Sequence, residues 1–284
     1  MDTSIINDYN PLVSILVTSY NEEKYVKETI LSVINQTYNN TEIIVVDDHS
    51  TDNTWEIIKH LKSEYEFLKI HRNKTNRGRP YTRNKALNLA KGEYIIWQDG
   101  DDISFPNRIQ KLVNAISQNN RLVAVGGWAE VFSDTTGEFI KILKYETDSR
   151  KIRKGMFRKP ILLHSTAIFK KSAIIKVGGF NNQYKTAEDF DLIFRLGTIG
   201  DFANIKEIVY KYRFSNKSAS KSKYYIKVLD WIYIRFSNAF QYPQIYKPTF
   251  VDKMFNIALF SYILLISPKN GRSKMIEFMR KIFN

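Results

Sequence analysis

"LVSILVTSYNEEKYVKETILSVINQTYNNTEIIVVDDHSTDNT", residues 12–54, holds two short apolar runs, LVSILV (12–17) and EIIVV (42–46), on either side of a stretch with a different period. The runs are β-branched and almost unbroken, as in strands buried on both faces of a parallel sheet. Between them Val26, Ile30, Val33 and Ile34 recur at helical spacing, which predicts a helix over 22–36. A second helix is expected from about Thr54 to Leu61, with Trp55, Ile58 and Leu61 facing inward. FLKI (67–70) and EYIIW (93–97) repeat the strand pattern, and TRNKALNLA (82–90) supplies the helix between them. Such a series closes most economically into an α/β fold, a mainly parallel sheet with right-handed crossovers.

Beyond about residue 120, RLVAVGGWAEVF, FIKILKY and HSTAIFKK read as extended pieces, and EDFDLIFRL as a helix. From Ser215 onward the pattern is helical and amphipathic. Its most apolar stretch, MFNIALFSYILLIS (254–267), falls short of the roughly 20 residues a spanning helix needs, so a docking or interfacial helix is expected.

Composition narrows the function classes. With 284 residues, 43% of them hydrophobic, the chain can bury one large domain, or one domain plus an appendage. Cysteine is absent, so there is no disulfide framework, and any metal must sit on oxygen or histidine. The first residues lack the basic start and long apolar run of a secretory signal, and a cytosolic location is expected. Of the net charge of +14, residues 206–284 carry +11, from 15 Lys and Arg against 4 Asp and Glu. That basic, aromatic tail suits an anionic surface, either nucleic acid or lipid.

Ligands of parallel sheets bind at the carboxyl ends of the strands, and the polar segments TSYN (18–21), DDHSTDNT (47–54) and QDGDD (98–102) all follow strands there. Clustered carboxylates repel one another, a cost that a hard divalent cation removes. Asp99 and Asp101 form an Asp-x-Asp pair for Mg²⁺ or Mn²⁺, an ion that completes its shell with water and substrate phosphates. Asp102 could instead cap the helix after Pro106, and Asp47 or Asp48 the helix that follows them. Arg72, Lys74, Arg77, Arg79, Arg83 and Lys85 form an acid-free basic stretch suited to a diphosphate.

Taken in order, VSILVTSYNEEKYVKETILSVINQTY, EIIVVDDHSTDNT, NRGRPYTRNKAL, GEYIIWQDGDDISFPNRI, VGGF and AEDFDLIFRL resemble the family 2 inverting glycosyltransferases, over roughly residues 11–213. The resemblance implies a GT-A fold: a Rossmann-like, mainly parallel sheet flanked by helices, here with a C-terminal helical extension. It divides the chain into a catalytic domain, 1–214, and a basic amphipathic helical tail, 215–284. Within the domain, about 11–103 would bind the nucleotide sugar and about 104–214 the acceptor. It also implies a nucleotide-diphosphate sugar donor, UDP-type, and a glycan or lipid-linked acceptor. Thr18, Tyr20, Asp48, Arg83 and Asp99 would contact the nucleotide, and Asp101 with Asp99 would hold Mn²⁺ or Mg²⁺. Asp189 would be the general base, with Glu188 positioning the acceptor; Asp191, on another face, reads as a cap or surface residue. The tie of Arg213 to a phosphate is looser. His164 reads as a core or rim residue.

Two further classes compete. A non-catalytic GT-A module binding membrane or nucleic acid would be expected to lose one of Asp48, Asp101 or Asp189, and all three are present. A nucleotidyltransferase would favour a glycine-rich basic signature where TSYNEEKY stands. Nucleic acid is therefore not the expected partner. The tail is expected either to lie on an anionic membrane at its cytoplasmic face or to pack on the domain or a second copy, as a homodimer.

Overall fold

The computed structural model describes residues 9–215 and 224–266. Four parallel strands, β1 (Val13–Ser19), β2 (Thr41–Asp47), β3 (Lys69–Arg72) and β4 (Tyr94–Asp99), stand in the order β3-β2-β1-β4. Helices α1 (Val26–Ile34), α2 (Thr54–Glu64) and α3 (Arg79–Leu89) make the crossovers. Alternation along each strand feeds two cores. Ile15, Val17, Val45 and Ile96 pack under α1, α2 and α4 (Arg108–Ile116), while Leu16, Ile44, Val46 and Trp97 face α3.

Beyond β4 the sheet changes character. β8 (Ile168–Lys170) pairs antiparallel with β4 and with β6 (Leu122–Ser133). β9 (Asp201–Phe214) runs parallel to β6, and β5 (Ile103–Ser104) and β7 (Phe139–Leu143) are antiparallel additions to β9 and β6. α5 (Ser149–Gly155), α6 (Lys171–Lys176) and α7 (Glu188–Leu196) cover this half. The parallel series read from the sequence thus covers the first four strands, and parallel pairing recurs between β6 and β9.

The first helix starts at Val26 rather than residue 22, because the preceding residues are knitted to the next crossover. Asn21 adopts the left-handed φ of 57°, its side chain accepts from Thr51 N (2.8 Å), and Glu22 N donates to the Thr54 hydroxyl (2.7 Å). Among the described residues two helices follow β9: α8 (Tyr224–Gln241) and α9 (Phe250–Ile266). α8 packs on α7, and Ile234 and Tyr246 enter the core shared with Phe194 and Leu196. The predicted tail is therefore docked on the 104–214 part of the chain from 224 to 266, while its remainder, 216–223 and 267–284, lies outside the described residues.

Candidate active site

Register places the first pair of predicted residues. Thr18, at the end of β1, is the Cα partner of Asp99 at the end of β4. Thr18 is half-buried, and Tyr20 just beyond it is 43% exposed. Asp48 follows β2 and is buried. Its Oδ1 accepts from Asn73 Nδ2 (2.7 Å) and Arg77 N (2.9 Å), and its Oδ2 from Gly78 N (2.8 Å). Gly78 sits at φ 84°, where a side chain would be strained, and leads into α3. Asp48 thus shapes the basic loop, and three of about four carboxylate acceptor sites are filled. Neither Asp47 nor Asp48 caps α2. Asp47 is consumed by Ser50 and Arg72, and it is Asp52 that accepts from Thr54 N (3.0 Å).

Arg83 joins segments far apart in the chain. Its Nη2 donates to Asp99 Oδ1 (3.0 Å) and its Nη1 to Glu188 Oε1 (2.9 Å), with the guanidinium held against Phe180 and Trp97. Arg79, one turn earlier on α3, stands 3.7 Å from the same Glu188 oxygen. Glu188 is only 1% exposed, and its Oε2 has no hydrogen-bond partner among the described residues. Burial pushes its carboxyl up while Arg83 pulls it back. Asp189 is different. It is half-buried at the first turn of α7, and one oxygen accepts from Phe190 N (2.8 Å). Its charge reaches Tyr145, whose phenol is pushed up to about 12, first by burial and then by Asp189. Tyr145 lines a cavity of about 250 Å³ with Lys144, Lys159 and Ile161.

The end of β4 carries excess negative charge. Asp101 is pushed up to about 6 by burial and by Asp99, and Glu22 up to about 8 by burial and then by Asp101 and Asp99. Carboxylates kept this unfavourable fit a divalent cation. Among the described residues no three acidic or histidine side chains cluster closely enough to cage one. The turn itself is braced from beneath. Buried Arg108 donates to Gln98 Oε1 (3.0 Å) and Trp97 O (3.0 Å).

Several sequence expectations are corrected. Asp102 caps no helix: α4 follows Asn107 without a side-chain cap, and buried Asp102 accepts from Arg213 N (2.7 Å). Arg213 is engaged rather than free for a phosphate. Its Nε donates to Asp101 O (2.7 Å), its Nη2 to Glu28 (2.6 Å), and it stacks on Tyr25 and Phe132. Asp191 is neither cap nor surface residue; it is buried and paired with Arg195 (2.6 Å) one turn on. His164, by contrast, is the core residue expected: it lies buried against Trp97, Phe169 and Phe180, and burial holds it well below the usual range. Glu22 and Arg79 join the site unannounced. Arg79 stood in the basic stretch already noted, and Glu22 in the segment following β1.

A family model described as glycosyl transferase family 2 matches residues 14–178. The chain is 34% identical over 211 residues to the uncharacterized glycosyltransferase MJ1057 of Methanocaldococcus jannaschii, covering 73% of this chain and 72% of that protein. It is 33% identical over 223 residues to the O-antigen biosynthesis glycosyltransferase WbnJ of Escherichia coli, covering 74% and 83%. Among solved structures, S. aureus TarS 1–349 in complex with UDP-GlcNAc superposes with a TM-score of 0.66 at 21% identity, covering 91% of this chain and 74% of that one. In the match to the UDP complex of TarS the chain spans 65% of that neighbour's length. The mannosyltransferase PcManGT from Pyrobaculum calidifontis, in complex with GDP-Man and Mn²⁺, superposes with a TM-score of 0.64 at 17% identity, covering 98% and 82%.

Proposed function

The chain belongs to glycosyl transferase family 2, and from that premise we propose that it transfers a hexosyl unit from a nucleotide-diphosphate sugar, UDP-type, to a glycan or lipid-linked hydroxyl with inversion. The observation that carries the proposal is the contrast between two neighbouring acids. Glu188 is buried and held by Arg83, whereas Asp189 is half-buried and keeps an oxygen free of the helix N–H. Asp189 is then the general base. It takes the acceptor hydroxyl proton as that oxygen attacks the anomeric carbon, and the bond from that carbon to the diphosphate oxygen breaks with its electron pair leaving on the diphosphate. Glu188 acts through Arg83, fixing the guanidinium that stands between the two carboxylates.

On the donor side Thr18, Tyr20, Asp48, Arg83 and Asp99 form the nucleotide contacts, with Tyr20 offering a ring face for the base and Asp48 a remaining acceptor site. Asp101 and Asp99 would hold Mn²⁺ or Mg²⁺, which when bound neutralises charge on the diphosphate. UDP-GlcNAc in a TarS complex and GDP-Man in the PcManGT complex support this donor class, and the Mn²⁺ in the PcManGT complex supports the cation. WbnJ, named for O-antigen biosynthesis, supports a role in polysaccharide assembly. The chain would then work at the cytoplasmic face of a membrane, where a lipid-linked acceptor is met. A non-catalytic module would not need Asp48, Asp99 and Asp101 at the strand ends together with Asp189 on α7.

Calorimetry with UDP and with GDP tests the donor site. Binding is expected in Mn²⁺ and should weaken at least about tenfold with EDTA or in Asp101→Ala, since the cation offsets the carboxylate charge. Equal affinity in all three conditions removes the cation from the proposal.

A further inference from the structure

α9 is arranged the wrong way round for a helix facing water. The side turned to the protein carries Asp252 and Asn256, both buried, with Leu259 and Phe260 packed on α8 beside them. Asp252 accepts from Arg158 Nε (2.5 Å) and the Thr249 hydroxyl (2.7 Å). Asn256 accepts from Arg235 Nη1 (2.9 Å) and donates to Phe157 O (2.9 Å). The opposite side exposes Phe250 (76%), Val251, Met254, Phe255, Ile257 and Tyr262 (57%). At about 100° per residue these six fall in one stripe roughly 160° wide. Rolling the helix to hide them would break the Asp252–Arg158 and Asn256–Arg235 pairs. A continuous outward apolar face of this kind marks an interaction surface.

Charge selects the occupant. Exposed Lys247 and Lys253 accompany the stripe, and residues 267–284, immediately after α9, carry five Lys and Arg against one Glu. Two copies meeting on this face would bring like charges together, whereas anionic headgroups would neutralise them. An apolar helix face plus a polybasic segment is also the two-signal pattern of reversible membrane binding. We propose that α9 lies in the headgroup region of an anionic bilayer, its outward face in the acyl boundary and its polar face fixed to the acceptor half. Among the described residues no helix is long and apolar enough to cross a membrane, so this contact is peripheral. It requires no transfer activity, and its test reads lipid binding alone.

The full chain is sedimented with vesicles of phosphatidylcholine mixed with phosphatidylglycerol, and with phosphatidylcholine alone, at low and high salt. Binding to the anionic vesicles, release at high salt, and at least about tenfold weaker binding in Met254→Glu/Ile257→Glu are expected. Both positions are exposed, so the fold should persist, as an unchanged urea midpoint would show; the milder Phe250→Ser should weaken binding in the same direction. Phe139→Glu, exposed on β7, should bind as the parent does. Failure to bind anionic vesicles at low salt overturns the proposal, as does binding that ignores the α9 substitutions. A dimer in sedimentation velocity, dissolved by the same double substitution in a chain that ignores vesicles, would assign the face to a second copy and overturn it equally.

Discussion

Arg83→Met would remove the cation that ties Asp99 to Glu188, which lies 105 residues from Arg83 in sequence. Removing one member of a buried ion pair costs about 3–5 kcal/mol, because the other charge is left in a poor medium. Two features of the site reduce that figure. Arg79 stands 3.7 Å from the same Glu188 oxygen, and Asp99, with a side chain 34% exposed, regains water. The expected loss at neutral pH is therefore near the lower bound, about 3 kcal/mol. At roughly 2–4 °C per kcal/mol for a domain of this size, the midpoint should fall by about 6–12 °C. The pH dependence has a definite sign. Burial raises the Glu188 carboxyl in the folded protein, so its contribution to stability falls as pH rises from the unfolded value through the folded one. Without Arg83 that carboxyl rises further, and the penalty should be larger at pH 8 than at pH 5. Urea unfolding of Arg83→Met, Glu188→Gln and the double variant closes a cycle in which the double loses less than the sum, with a coupling of about 2 kcal/mol. A penalty below about 1 kcal/mol, equal at both pH values and additive with Glu188→Gln, would refute the pairing.

Asp48→Ala strips three hydrogen bonds from the 73–78 loop and leaves the Arg77 and Gly78 N–H groups without their acceptor, so urea unfolding should show a loss of about 3 kcal/mol and calorimetry a weaker UDP interaction. Arg213→Met releases the Asp101 carbonyl and the turn after β4, and Mn²⁺-dependent UDP affinity is expected to fall about five- to tenfold, about 1 kcal/mol, with the basal fold intact by circular dichroism. Asp230 is pushed up to about 6 by burial, so its ionised form costs stability that is absent below about 3.8 and complete above about 6. Asp230→Asn should therefore stabilise by about 1–2 kcal/mol at pH 7.5 and change little near pH 4, as paired thermal melts would show.

How far the sequence reaches depends on whether the signal is local. β1, β2 and β4 are legible because each is a short apolar run buried on both faces, and Asp48, Asp99 and Asp101 are legible because they follow those runs directly. β9 is not, since Lys206, Glu207, Lys211 and Arg213 interrupt its apolar pattern, and their partners, among them Glu130 and Lys111, come from other elements. Glu22 lies between the first strand and the first helix, and its closeness to Asp99 and Asp101 is set by the loop that Asn21 turns. The distinction between Glu188 and Asp189 is invisible in an adjacent pair of acids; it arises from α3, which brings Arg83 to one and not the other. α9 shows the same limit. Its stripe can be read from the sequence, but which side faces the protein is decided by Arg158 and Arg235.

The most direct measurement is turnover itself: release of nucleotide diphosphate from a panel of UDP- and GDP-sugars with Mn²⁺ and acceptor glycans, comparing the parent chain with Asp189→Asn. Release is expected from at least one donor, with inverted stereochemistry in the product and a fall in kcat of roughly 10²–10⁴ in Asp189→Asn at nearly unchanged nucleotide affinity. Turnover at the parent rate in Asp189→Asn, or its loss in Glu188→Gln alone, would contradict the assignment of the base.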